Sequence, residues 1–123
     1  MLKHVAYITM LVRNQDKALD FYTNVVGFEK RWDVPAPNGG RFLTVGVKGH
    51  NFELVLSPVG PGPLEVTIEV EDCRKAFEAL TSRGVKFDPP HVMEFPFGSV
   101  ARFQDSDGNR LQVRQGRPAS AQP

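Results

Sequence analysis

Cysteine is nearly missing from this chain: Cys73 stands alone among 123 residues, so no intrachain disulfide can form and a bridge-stapled secreted scaffold is excluded. That usage points to a reducing cytoplasm. An excess of one charge is missing too, since 15 Lys and Arg oppose 14 Asp and Glu for a formal net charge of +1. So small a field does not hold a phosphate backbone, and nucleic acid is not expected as a partner. No apolar run approaches the ~18 residues of a membrane span, which removes the membrane as well. Apolar residues from Met1 to Val12 are interrupted by Lys3 and His4 and followed by Arg13, with no small-residue cleavage site, so this stretch reads as a strand. No serine or cysteine nucleophile motif and no phosphate-binding glycine loop occurs.

What is present is an ordinary core supply, 41% hydrophobic residues, in a chain of single-domain length. Val5 to Val12 is apolar on both alternating faces and predicts a strand buried on both sides. A helix follows. Asn14 or Asp16 can cap it, Ala18, Phe21, Tyr22, Val25 and Val26 form its stripe, and Gly27 ends it. Strands are expected at Phe28 to Val34, Arg41 to Val47 and Phe52 to Ser57, separated by turn-rich segments. The stretch from Pro58 to Pro63, with three prolines and two glycines, cannot sustain a ladder or a helix and marks a joint.

Beyond the joint Leu64, Val66, Ile68 and Val70 alternate with Glu65, Thr67 and Glu69, the pattern of a strand with one polar face. A second helix has Asp72 as cap, Cys73, Ala76, Phe77 and Leu80 as stripe and Gly84 as stop. Strands near Val85 to Phe87, Ser99 to Gln104 and Arg110 to Arg114 complete the set, with a tight turn at Asp107-Gly108. Gly84 follows Gly27 by 57 positions and Glu65 follows Tyr7 by 58, so one unit occurs twice. The expected fold class is α+β: two tandem βαβββ modules, residues 1–57 and 64–115 about a linker at 58–63, forming an open curved sheet with a cleft. The tail 116–123 reads as disordered. Strand parity places Tyr7, Thr9, Leu11, Glu53, Val55, Glu65, Thr67, Glu69, Arg110, Gln112 and Arg114 on the face away from the helices. It places Ala6, Ile8, Phe52, Leu54, Leu56, Val66, Ile68, Leu111 and Val113 in the core.

With this order of elements, Ala18-Leu-Asp-Phe-Tyr22, Gly27-Phe28, Phe52-Glu-Leu54, Val70-Glu-Asp72, Arg83-Gly-Val85 and Phe103-Gln-Asp-Ser-Asp-Gly-Asn109 make the chain resemble the vicinal oxygen chelate superfamily. That superfamily includes glyoxalase I, extradiol dioxygenases, fosfomycin-modifying enzymes and bleomycin-resistance proteins. The resemblance implies that metal-using members place ligands at positions matching Tyr7, Glu53, Glu65 and Gln112. Only Glu53 keeps the ligand type: Tyr7 and Glu65 replace histidines, and Gln112 replaces a glutamate. Zinc, iron and nickel favour imidazole or thiolate, so no metal and no other cofactor is expected. Magnesium between Glu53 and Glu65 would be a weak site.

His4, His50 and His91 read as solvent-exposed, and Cys73, although it opens a helix, reads as a buried structural thiol. Tyr7, Trp32, Phe42, Phe95 and Phe97 belong to neither helix stripe and are expected to line a pocket, with packing in the core or a dimer interface as the alternative for Phe42 and Trp32. Glu65, Glu69, Arg110 and Arg114 are expected to pair across the sheet, while Glu53, Glu65 and Gln112, left without a metal, hydrogen-bond a ligand. The expected ligand-binding set is Tyr7, Trp32, Phe42, Glu53, Glu65, Phe95, Phe97, Arg102 and Gln112, with no catalytic residue. The expected function is binding of a small organic molecule, most simply sequestration of an aromatic antibiotic for drug resistance without modification, by a cytoplasmic homodimer. The alternatives are a metal-dependent lyase, isomerase or dioxygenase, and metal-free acid-base catalysis with Tyr7 as donor.

Overall fold

A computed structural model describes residues 1, 3–37, 39–60 and 62–116. They form two compact units, Met1–Pro63 and Leu64 onward, each built from the same elements. The first unit contains β1 (Tyr7–Leu11), α1 (Gln15–Asp20), a π-helical segment (Phe21–Val26), β2 (Glu29–Pro35), β3 (Arg41–Gly46) and β4 (Glu53–Ser57). The second contains β5 (Glu65–Glu69), α2 (Cys73–Ser82), β6 (Met93–Phe95), β7 (Gly98–Gln104) and β8 (Arg110–Gly116). Each unit is a four-stranded sheet of the same order, β1-β4-β3-β2 and β5-β8-β7-β6. The fold is mixed α+β with a duplicated βαβββ plan. Among the described residues no helix is long and apolar enough to cross a membrane.

Both helices start where a side-chain oxygen replaces a missing intrahelical partner. Asn14 accepts from the Lys17 amide at 2.9 Å, and Asp72 accepts from the Lys75 amide at 3.1 Å. Both end at glycines in the left-handed region, Gly27 with φ 109° and Gly84 with φ 95°. The first helix is not α-helical throughout, however. From Phe21 it widens, and the amides of Gly27 and Phe28 both reach back to the Tyr22 carbonyl, leaving Tyr22 fully buried. Arg41 clamps α1 to the β2-β3 hairpin, with Nη1 2.7 Å from Asp16 and Nε 2.8 Å from Asp33. The hydrogen bond from Arg41 holds the Asp33 carboxyl below its ordinary range.

The core differs from the parity reading in particular places. Leu54, Leu56, Leu111 and Val113 are buried as expected, but Ile8 is 41% and Phe52 37% exposed, and Ala6 precedes β1 on the surface. The reason is position: β1 is an edge strand, so it is not covered on both sides, and only Met10 and Val12 near its end are fully enclosed. Val66 and Ile68, on the edge strand β5, are half-buried for the same reason.

The segment Val85 to Phe87 is not a strand. It makes one isolated bridge, Phe87 to Phe103, and Phe87 instead packs its ring 4.6 Å from Phe77 and 5.3 Å from Phe103. Pro89 and Pro90 supply no amide donors, so pairing resumes only at β6, which the alternation did not reveal. Gly116 closes β8, and the rest of the expected tail lies outside the described residues.

The Asp105 to Asn109 turn is the most heavily bonded connection in the second unit. Asp105 Oδ1 accepts from the amides of Asp107 and Asn109, both at 2.9 Å, and Asp105 Oδ2 accepts from Asn109 Nδ2 at 2.8 Å. Fully buried Asn109 uses Oδ1 to accept from the Leu64 amide, pinning the chain entering β5 to the β7-β8 turn. Replacing it leaves buried polar groups without partners. Asn109→Ala is therefore expected to cost about 1–3 kcal/mol. Urea denaturation measures this, and a loss under half of that range would show that the pin is not structural.

Candidate ligand-binding faces

The face of the first sheet turned from α1 is built by register, with Tyr7 exposed at its edge and Thr44, Gly46 and Val55 buried at its centre. Tyr7 pairs with Glu53 and Thr9 with Val55, while in the antiparallel ladder Gly46 pairs with Glu53 and Thr44 with Val55. These residues share the face turned from α1. Tyr7 is 54% exposed and meets Phe42 edge to face, with centroids 6.2 Å apart. On β2, Lys30 pairs with Val45 and Asp33 with Leu43, so Arg31 and Trp32 together oppose the single residue Thr44. That is a β-bulge. It anchors the Trp32 amide on Thr44 Oγ1 at 3.0 Å and leaves Trp32 54% exposed.

Arg31 is the residue that sequence reasoning missed. Its Nη1 lies 3.6 Å from Glu53 Oε2, its Nε 2.8 Å from Glu29 Oε1, and its Nη2 donates to the carbonyls of Val47 at 2.6 Å and His50 at 2.8 Å. The guanidinium lies over Gly46, where a Cβ would stand 2.8 Å from Cζ. A glycine in the interior of a predicted strand was the available signal, because it often marks close approach of another group.

The second sheet's open face is polar and cross-linked. Gln112 donates to Thr67 Oγ1 at 2.6 Å and accepts from Arg102 Nε at 3.0 Å. Arg114 Nη1 pairs with Glu69 at 2.8 Å, so the pairing reading holds for these two. Glu65 and Arg110 are opposite in register but form no ion pair among the described residues. Phe95 and Phe97 flank the turn from β6 to β7, their rings parallel within 5° at 5.0 Å, and Phe97 is 43% exposed. The first unit thus brings Tyr7, Trp32, Phe42 and Glu53 onto one face, and the second brings Glu65, Arg102 and Gln112 onto one face, with Phe95 and Phe97 at its hairpin.

Residues 2–113 match the family model described as the glyoxalase/bleomycin resistance protein/dioxygenase superfamily. The chain belongs to this superfamily. TnmS3, an antibiotic binding protein from Streptomyces sp. CB03234, has a similar structure, with a TM-score of 0.87 and 34% identity over 94% of this chain and 98% of that one. A superfamily member from Sphaerobacter thermophilus is 32% identical with a TM-score of 0.82, covering 93% of this chain and 98% of its own. The uncharacterized protein YetH of Bacillus subtilis (strain 168) is 33% identical over 94% of this chain and 100% of its own.

The four positions that hold an ion in metal-using members do not suit one here. Glu53 already faces the Arg31 guanidinium, and both ends of the Gln112 amide are engaged. Gln112 is moreover opposite Thr67, while the register partner of Glu65 is Arg110. At ~4 Å and an effective dielectric near 20, each pair of unit like charges costs about 4 kcal/mol, so a dication on Glu53 would have to evict Arg31. No cluster of three or more His, Cys, Asp or Glu able to hold a metal occurs among the described residues, and His4, His50 and His91 are exposed. Cys73 is fully buried with Sγ 3.7 Å from the Val113 carbonyl, and burial pushes its thiol up from the ordinary range.

Gly46→Ala is expected to displace Arg31 while the chain stays folded, because the obstructed atoms end a flexible side chain. The Arg31 Nε–H resonance should move with a stability loss of about 1 kcal/mol or less; an unmoved resonance would contradict the seating of Arg31. Cys73, as a buried high-pKa thiol, should react with iodoacetamide at pH 7.5 roughly tenfold or more slowly than free cysteine. Unfolding in urea should restore the rate. Alkylation of the native protein at the free-cysteine rate would contradict this burial.

Proposed function

We propose that this protein binds a small organic molecule and holds it without chemical change, the molecule being an aromatic antibiotic or related natural product and the outcome drug resistance. The observation that carries the reading is the pairing of exposed rings with polar groups that the protein has already tied down. Tyr7, Trp32 and Phe97 each present about half of their surface, yet Glu53 and Gln112 are held by Arg31, Arg102 and Thr67. Large rings offer stacking area to a planar guest at low entropic cost. A carboxylate that faces a fixed guanidinium is poorly placed to coordinate an ion. The likeness to TnmS3 supports the antibiotic as ligand class.

In this reading Tyr7, Trp32, Phe42, Phe95 and Phe97 supply contact area, while Glu53, Glu65, Arg102 and Gln112 orient the guest, and no metal or other cofactor takes part. The protein works in the cytoplasm as a homodimer, for which the edge strands of each sheet offer pairing surfaces.

A ligand at a hundred times its Kd adds about 2.7 kcal/mol, so a panel of aromatic and glycopeptide antibiotics should contain compounds that raise Tm by roughly 10 °C. Mass spectrometry should return each such compound with unchanged mass, and Tyr7→Ala with Trp32→Ala should abolish the shift. A panel without any shift would sink the binding reading. Conversion of the compound would replace it with an enzymatic one.

A further inference from the structure

The second unit contains a cavity of about 290 Å³ lined by Lys86, Asp88, Arg102, Phe103, Gln104 and Arg110. Its construction follows from the isolated bridge. Phe87 turns inward against Phe103, and the Asp88 amide donates to the Arg102 carbonyl, which holds residues 86–88 along the edge of β7. Alternation then places Lys86 and Asp88 on the opposite side from Phe87, the side of Arg102 and Gln104. Arg110 joins them because it is the register partner of Gln104.

Three cations thus share the cavity lining with one carboxylate, Asp88, with Glu65 beyond as the register partner of Arg110. Arg31, Arg41, Arg74 and Arg114 each reach a carboxylate. Among the described residues Lys86, Arg102 and Arg110 reach none. Arg102 is not slack, however, because its Nε is fixed by Gln112, which is fixed in turn by Thr67. That leaves the Nη groups, which have no partner among the described residues, as a positioned fork. A planar fork of this kind matches the two oxygens of a carboxylate.

We propose that this cavity receives an oxyanion carried on a planar organic ligand, a carboxylate or an acidic phenol, with Arg102 as the oriented fork and Lys86 and Arg110 as flanking charges. The inference rests on the reading of the protein as a small-molecule binder and names the ligand's charge. Gln104 gives the scaffold a neutral hydrogen-bonding group. Asp88 disfavours a second anion, so the site takes one negative group per guest.

The test uses 2-naphthoate, uncharged 2-naphthamide and inorganic phosphate, each titrated into isotope-labelled protein at one fixed ionic strength, with arginine Nε–H and backbone resonances followed. The expected result is movement at Arg102, Arg110 and residues 86–88, with naphthoate binding about tenfold more tightly than naphthamide. Arg102→Gln and Arg110→Gln should erase that difference, Arg102→Lys should keep part of it, and the same spectra establish that each variant is folded. Equal affinity for naphthoate and naphthamide, or equal shifts and affinity with phosphate, would overturn the assignment. If antibiotics still stabilise the protein while the cavity is silent, this inference fails and the binding reading stands. If naphthoate occupies the cavity while no antibiotic is held and unchanged, the anion site stands and the assignment of an antibiotic as the ligand fails.

Discussion

The seating of Arg31 over Gly46 decides what the first sheet can do. Three local features must coincide for it: a bulge that adds a residue to β2, a glycine on β3 that leaves room, and two carbonyls, of Val47 and His50, that accept from Nη2. With these in place a fixed positive charge lies beside Glu53, the one superfamily ligand position where the ligand type survives. In a metal-using relative an ion from solution would supply charge there. Here the chain supplies its own, through covalently attached groups already oriented by folding.

The two units share a topology and have diverged in the chemistry of their open faces. On the first, Tyr7 and Phe42 meet edge to face, Trp32 is exposed, and Glu53 faces the Arg31 guanidinium. On the second, Thr67, Gln112 and Arg102 form a chain of hydrogen bonds across three strands, and Glu69 joins Arg114 and the Gly116 amide at one end. A duplicated backbone fixes which positions face the same way, and it leaves the side chains free to specialise. The helix-facing sides show the opposite behaviour, because Leu54, Leu56, Leu111 and Val113 must fill space at native density whatever the face opposite does.

Much of this plan was legible because its signals are local. Asn14, Asp72, Gly27 and Gly84 announce helix ends through bonds and dihedral angles within a few residues, and strands such as Arg41–Gly46 and Glu65–Glu69 announce themselves by composition or alternation. What escaped depends on neighbours far away in sequence. Whether Ile8 is enclosed depends on β1 lying at a sheet edge, and whether Val85 to Phe87 pairs as a strand depends on Phe77 and Phe103 capturing the Phe87 ring. The bulge at Arg31 and Trp32 is invisible to a period-two pattern, since one inserted residue looks like a phase slip until the partner strand is known. The candidate site was legible as a list of residue types on a face. The partners that restrain Glu53, Gln112 and Arg102 were not.

Those restraints bear on affinity as much as on chemistry. Exposed aromatic side chains on a loose loop would pay for each guest by losing conformational freedom. Here the rings stand on backbone that is already committed: the Trp32 amide is bound to Thr44, Tyr7 lies in register with Glu53, and the Phe95-Phe97 turn is closed by β7, with the Phe97 carbonyl 3.4 Å from Arg114. Trp, Tyr and Phe have only two side-chain torsions each, so little remains to be ordered when a planar molecule arrives. A face prepared in this way gains most of its selectivity from where its rings and fixed charges stand. On the proposed function, substitutions that move Arg31, Thr44 or Thr67, none of which is a large contact surface, should alter ligand choice as strongly as truncating a ring, because each shifts the part of its own sheet on which a ring or Arg102 is held.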